Sequence, residues 1–164
     1  MKKIIPIIVV MLFGITVWGQ STDISKDDEK FLKLSLLINL AQADLLTINQ
    51  TLIQKEYSLG EISSNSDFIS YKYVRYNFFT FKRFVTIKKV LYKFGYTDAL
   101  YSKYISEINS LNLQPFGSPP TPVLIDNGFK SSYEDSAKNW LITLSIVKPS
   151  EGQATVEISI SSQH

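Results

Sequence analysis

Residues 68–94 run FISYKYVRYNFFTFKRFVTIKKVLYKF. The stretch is rich in Tyr, Phe, Val and Thr, residue types that favour strands. Tyr71, Val74, Phe78, Phe81 and Val85 nevertheless keep a three-four spacing, as do Phe84, Ile87, Leu91 and Phe94. Strict alternation fails at Phe78-Phe79 and again at Lys82-Arg83. The spacing predicts a long helix over 68–94, with Gly95 where a glycine follows a helix C-terminus.

The same stretch is the compositional anomaly of the chain. Thirteen of the twenty-one aromatic residues fall between Phe68 and Tyr104. Residues 68–104 hold eight bases and one acid, Asp98, for a net of +7. Residues 20–67 hold eight acids and four bases, for −4, and residues 105–164 hold six acids and three bases, for −3. On a helix Arg75, Lys82 and Lys89 recur every seven residues and Lys93 follows by four, which makes one basic stripe. Lys72 and Arg83 lie to one side of it. Tyr71 and Phe79 are candidate apolar anchors beside the stripe, with Phe78 near them. The expected site is therefore a partner-binding face of Tyr71, Arg75, Phe79, Lys82, Lys89 and Lys93. It suits an acidic protein partner or an anionic glycan or lipid surface, because such charge steers association. The competing reading pairs the stripe internally with the acidic first helix, or leaves it as a solvated face whose lysine stems cover apolar surface.

Upstream, Phe31, Leu34, Ile38, Ala41, Leu45, Ile48 and Leu52 form an apolar helical stripe. Ser25 and Asp28 have the spacing of a capping box, and the spacing predicts one long helix over about 27–56. Downstream, Thr97 is placed to cap a third, shorter helix carrying Leu100, Tyr104, Ile105, Ile108 and Leu111, which ends before Pro115. Residues 114–122 contain four of the six prolines and read as an extended linker. Val123-Leu124-Ile125 is a short apolar run before the turn signal Asp126-Asn127-Gly128. Trp140 to Val147, then the alternating Ala154 to Ser161, read as a C-terminal β-hairpin. The expected fold class is α+β: three helices, two of them long, followed by a small antiparallel sheet containing that hairpin. The expected parts are a helical part over 25–112, a linker over 114–122 and a β part over 123–162, all within one domain at 20–164.

The first 19 residues have the pattern of a cleaved signal peptide, with Lys2-Lys3, an apolar run over 4–18 and a small-residue site at Val17-Trp18-Gly19. The Gly19-Gln20 junction resembles those of Bacteroidota-type bacterial exports. This predicts a periplasmic or secreted protein without a stable transmembrane span. Removing the two signal lysines leaves 17 − 2 = 15 bases against 15 acids, so the exported chain is neutral and gives no support to nucleic-acid binding.

Cysteine is absent and the one histidine is His164, so thiol catalysis, a Ser-His-Asp triad and His-ligated zinc are excluded. Ser145-Ile146-Val147-Lys148 matches Ser-x-x-Lys, but on a strand that spacing sends the two side chains to opposite faces. Asp126, Glu134 and Asp135 offer carboxylates for an exported hydrolase, the weakest of three readings. No cofactor or metal site is expected. The leading reading is a non-enzymatic binding protein that acts by occupying a protein partner, in the manner of an inhibitor or immunity protein. The alternative is a small-ligand carrier whose pocket, between helices and sheet, is lined by Tyr92, Tyr101 and Trp140.

Overall fold

The computed structural model describes residues 31–84, 87–116, 123–125, 128–135, 140–148 and 151–162. The signal segment, the Ser25–Asp28 cap, the prolines beyond Pro115 and the Asp126-Asn127 turn lie outside these residues.

The expected α+β chain of long helices and a small sheet is overturned: a nine-stranded antiparallel sheet dominates, and the helices are short. Residues 68–94 are not a helix. They form β2 (Phe68–Val74), β3 (Phe78–Phe84) and most of β4 (Lys88–Gly95), preceded by β1 (Ser58–Ser64). The expected helical part over 25–112 thus contains four strands, and Gly95 ends a strand. Alternation is present in the geometry. Phe79 and Phe81 turn inward while Phe78, Thr80, Lys82 and Phe84 turn outward. It is hidden in the sequence because the outward face is itself partly aromatic and because each hairpin turn restarts the pattern. The three-four spacing came from joining inward and outward rings across the turn at 75–77.

The first helix is also two. α1 (Leu34–Gln42) and α2 (Leu45–Gln54) break at Ala43-Asp44. The Asp44 side chain accepts from the Thr47 N–H at 2.7 Å and starts the second helix, a cap inside an otherwise unbroken apolar stripe. α3 (Asp98–Ser110) is where the sequence places it, with Thr97 accepting from the Leu100 N–H at 3.3 Å. Beyond it come β5 (Gln114–Pro115), β6 (Val123–Ile125), β7 (Gly128–Asp135), β8 (Trp140–Val147) and β9 (Thr155–Ser162). The expected C-terminal hairpin is the β8–β9 pair. The linker begins as a strand instead, and β7 occupies residues read as turn and loop. Gly128 is required there, because a Cβ would lie 1.8 Å from the Ile146 carbonyl oxygen.

The strand order is β1-β2-β3-β4-β9-β8-β7-β5, with β6 also on β7. One face carries the core in rows that cross the sheet in register: Tyr73, Phe79, Tyr92, Ile158 and Leu144, and beside them Tyr71, Phe81, Val90, Ile160 and Ile142. α1 packs on β4, β9 and α3 above this face. The opposite face carries hydroxyls, lysines and a few rings. Among the described residues no helix is long and apolar enough to cross a membrane.

Candidate functional site

The β3–β4 hairpin sets two like-charge rungs beside each other. Lys82 is paired in register with Lys89, and Arg83 with Lys88. Because successive residues point to opposite faces, the first rung faces outward and the second lies on the helix side. Like charges directly opposed across a strand pair are destabilising. On the inner side Lys88 is relieved, since its Nζ donates to the Ala43 carbonyl at 3.3 Å just past the end of α1. Asp44 lies beside it. That carboxyl is held below the usual carboxylate range, first by the Thr47 N–H and to a lesser degree by Lys88.

The outward rung has no such relief. Lys72 on β2 and Lys93 on β4 share its face, around a shallow depression of about 420 Å³ that also meets Ser70, Phe78, Thr80, Glu61 and Glu157. The Lys82 ammonium lies 4.7 Å from the Phe68 ring centre and the Lys72 ammonium 5.1 Å from that of Phe78. These cation–π contacts orient the charges without neutralising them. Among the described residues, none of Lys72, Lys82, Lys89 and Lys93 lies within ion-pair distance of a carboxylate. α1 and α2 contain no acid and pack on the other face; the carboxylates on this face are Glu61, opposite Lys72, and Glu157, opposite Lys93.

The six expected site residues separate. Lys82, Lys89 and Lys93 come together on the outer face. Tyr71 is half-buried on the inner face, its ring stacked on Phe81 at 6.4 Å. Phe79 is fully buried in the core and cannot anchor a partner. Arg75 sits in the turn after β2, at the other end of the sheet, ion-paired with Glu56 and lying 5.1 Å from the Tyr76 ring centre. Lys72 belongs to the outer cluster in place of Arg75. The doublets Lys82-Arg83 and Lys88-Lys89 were the overlooked signal: they are symmetric about residues 85–86, as a hairpin requires.

The residues proposed to line a carrier pocket are core. Tyr92 is fully buried, Trp140 is 8% exposed and Tyr101 is half-buried against Tyr96. The Tyr92 hydroxyl accepts from the Asn77 side-chain amide at 2.6 Å and from the Leu32 N–H at 3.2 Å. Tyr57 donates to Asn77 Oδ1, and Tyr104 donates to the Leu32 carbonyl at 2.5 Å. Burial pushes the phenols of Tyr57, Tyr92 and Tyr104 above the ordinary tyrosine value. This network ties Leu32 to β4 and to α3 and engages the Tyr92 hydroxyl within the fold. Of the carboxylates weighed for hydrolysis, Glu134 pairs in register with Leu141 on β7–β8, and Asp126 lies outside the described residues.

Comparison with protein-family models, with curated proteins and with solved structures finds no match to this chain.

Proposed function

We propose that this chain is an exported, non-enzymatic binding protein that takes an acidic protein partner on the outer face of β2–β4, in the manner of an inhibitor or immunity protein. The observation that carries the reading is the Lys82–Lys89 rung, flanked by Lys72 and Lys93: among the described residues neither rung lysine lies within ion-pair distance of a carboxylate, while Lys72 and Lys93 stand opposite Glu61 and Glu157 across the strands. Stability alone gives no reason to oppose two lysines on a sheet whose other outward positions include Ser, Thr and Glu. An anionic partner removes that repulsion, and the net positive charge of the face, four lysines against Glu61 and Glu157, accelerates its approach. Lysines carry point charges on flexible stems, which suits a run of carboxylates better than one planar group. The Phe78 ring, 43% exposed, supplies apolar contact at the floor of the depression.

The test uses fluorescent poly-L-glutamate as the probe, with a sulfated polysaccharide and vesicles containing phosphatidylglycerol as alternative anions. The protein should bind poly-L-glutamate at low salt and release it as salt rises. The double reversal Lys82→Glu with Lys89→Glu should weaken binding at least tenfold, while Lys148→Glu, an exposed base elsewhere, should leave it within twofold. Equal binding by the double reversal overturns the site. Preference for the polysaccharide or the vesicles overturns the choice of a protein partner.

A further inference from the structure

The sheet has a second unsatisfied surface, remote from the lysines in character. β1 is an edge strand, and all seven of its residues are exposed. The far edge of the sheet is blunted by a two-residue strand ending in Pro115. The regular part of β1, residues 61–64, has no Pro or Lys and pairs evenly with β2 beyond the bulge at Leu59–Glu61.

The hydrogen-bond parity of this edge is fixed by the turn. The Asn65 N–H donates to the Phe68 carbonyl at 3.0 Å, so Asn65 and, two by two, Ser63 and Glu61 direct their backbone groups toward β2. Ile62 and Ser64 therefore turn N–H and C=O to the free edge. On the inner side of the same edge the helices stop short. Leu46 and Ile53 on α2 are 65% and 57% exposed, and Leu59, Ile62 and Ile69 on β1 and β2 are 45%, 59% and 42% exposed. Leu46 and Leu59 line one open apolar groove of about 450 Å³ with Leu45, Asn49, Tyr71 and Tyr73. Five such side chains leave on the order of 500 Å² of apolar surface, within the roughly 300–600 Å² of a monomer's largest and often functional patch, and more than half of the roughly 800 Å² that one partner gives to a standard interface.

We infer that a second copy of this chain covers this edge by antiparallel β1–β1 pairing about a two-fold axis at Ile62. The strand is self-complementary in that one register. Ile62 meets Ile62 on the apolar side and exchanges both backbone hydrogen bonds with it. Gly60 meets Ser64, and Glu61 meets Ser63 on the outer side. A shift centred on Glu61 would oppose two carboxylates, and one centred on Ser63 would set Ile62 against Ser64. The α2 stripes of Leu46 and Ile53 then close over the joined strands, and the two sheets become one of eighteen strands. The pairing leaves the lysine face open, so it stands or falls independently of the proposed function.

The absence of native cysteine makes the register directly readable. The protein as purified after export should run as a dimer by light scattering at 50 µM. Ile62→Cys should oxidise to a disulfide-linked dimer, because the Cα atoms of a paired position lie about 5.5 Å apart, within disulfide reach. Ser63→Cys, whose partner would be Glu61, should crosslink at least tenfold more slowly. Ile62→Lys should shift the protein to monomer while its circular dichroism spectrum stays unchanged. A monomer at 50 µM, or equal crosslinking at 62 and 63, overturns the proposal. Dimerisation that survives Ile62→Lys overturns it as well, since it places the contact elsewhere.

Discussion

Three buried phenols show how single residues set the limits of this fold. Tyr92 and Tyr104 are held neutral by burial, so their folded-state values lie above the unfolded value of about 10. Above that pH the unfolded chain releases protons that the folded chain retains. Stability is then fully present below pH 10 and is lost as pH rises, by about 1.4 kcal/mol per pH unit for each such group. Urea midpoints measured from pH 8 to 11 should be level to about pH 9.5 and fall beyond it. The fall should be shallower by one proton in Tyr92→Phe, and a midpoint independent of pH through 11 would contradict this account of the core. Nothing in the sequence marks Tyr92 as more deeply buried than Tyr71. Tyr92 lies on the more central strand, where Asn77 in the turn after β2 bonds its hydroxyl, a contact fifteen residues away in the chain.

Among the elements, those with local signals were legible and those dependent on partners were not. α3 follows from Thr97 and a three-four stripe, β8 from a near-continuous apolar run and β9 from plain alternation with one wet face. β2–β4 were misread because a helix and a hairpin can place aromatics at the same sequence intervals when both sheet faces accept rings. The composition favoured strands there, and the symmetric base doublets agreed with it. β7 was missed because Lys130, Ser131 and Ser132 carry little apolar pattern, and its pairing with β8 supplies what its own residues do not. The start of α1 shows the same dependence. Its N-cap, Lys33, has no capping side chain, and the Leu34 N–H donates instead to the Glu107 carboxylate of α3 at 2.6 Å. Glu107→Ala should therefore lower stability by about 1–2 kcal/mol through a helix it does not belong to. Thermal melting checks this, with Glu107→Gln, which keeps an acceptor, expected to recover part of the loss.

At the scale of the molecule, the sheet divides the chain's chemistry between two faces. One buries rows of Tyr, Phe, Ile and Val under three short helices, and the other sets four half-buried lysines against two carboxylates, Glu61 and Glu157. The basic character of residues 68–104 was legible from composition. Its geometry was not, because a seven-residue helical period and a hairpin both bring residues 82 and 89 together, but only the hairpin sends Arg75 to the far end and Phe79 into the core. Lys82 and Lys89 therefore survive as a pair for a reason the sequence did not offer. They are cross-strand neighbours, and neighbours of like charge oppose folding. The most direct measurement is on Lys89→Glu, scored for stability and for poly-L-glutamate affinity together. The two effects should have opposite signs: an opposed Lys–Glu pair stabilises the fold by about 0.2–1 kcal/mol, seen as a higher urea midpoint, while affinity for the acidic polymer falls at least fivefold. A variant that is less stable, or that binds the polymer as well as the parent, would contradict it.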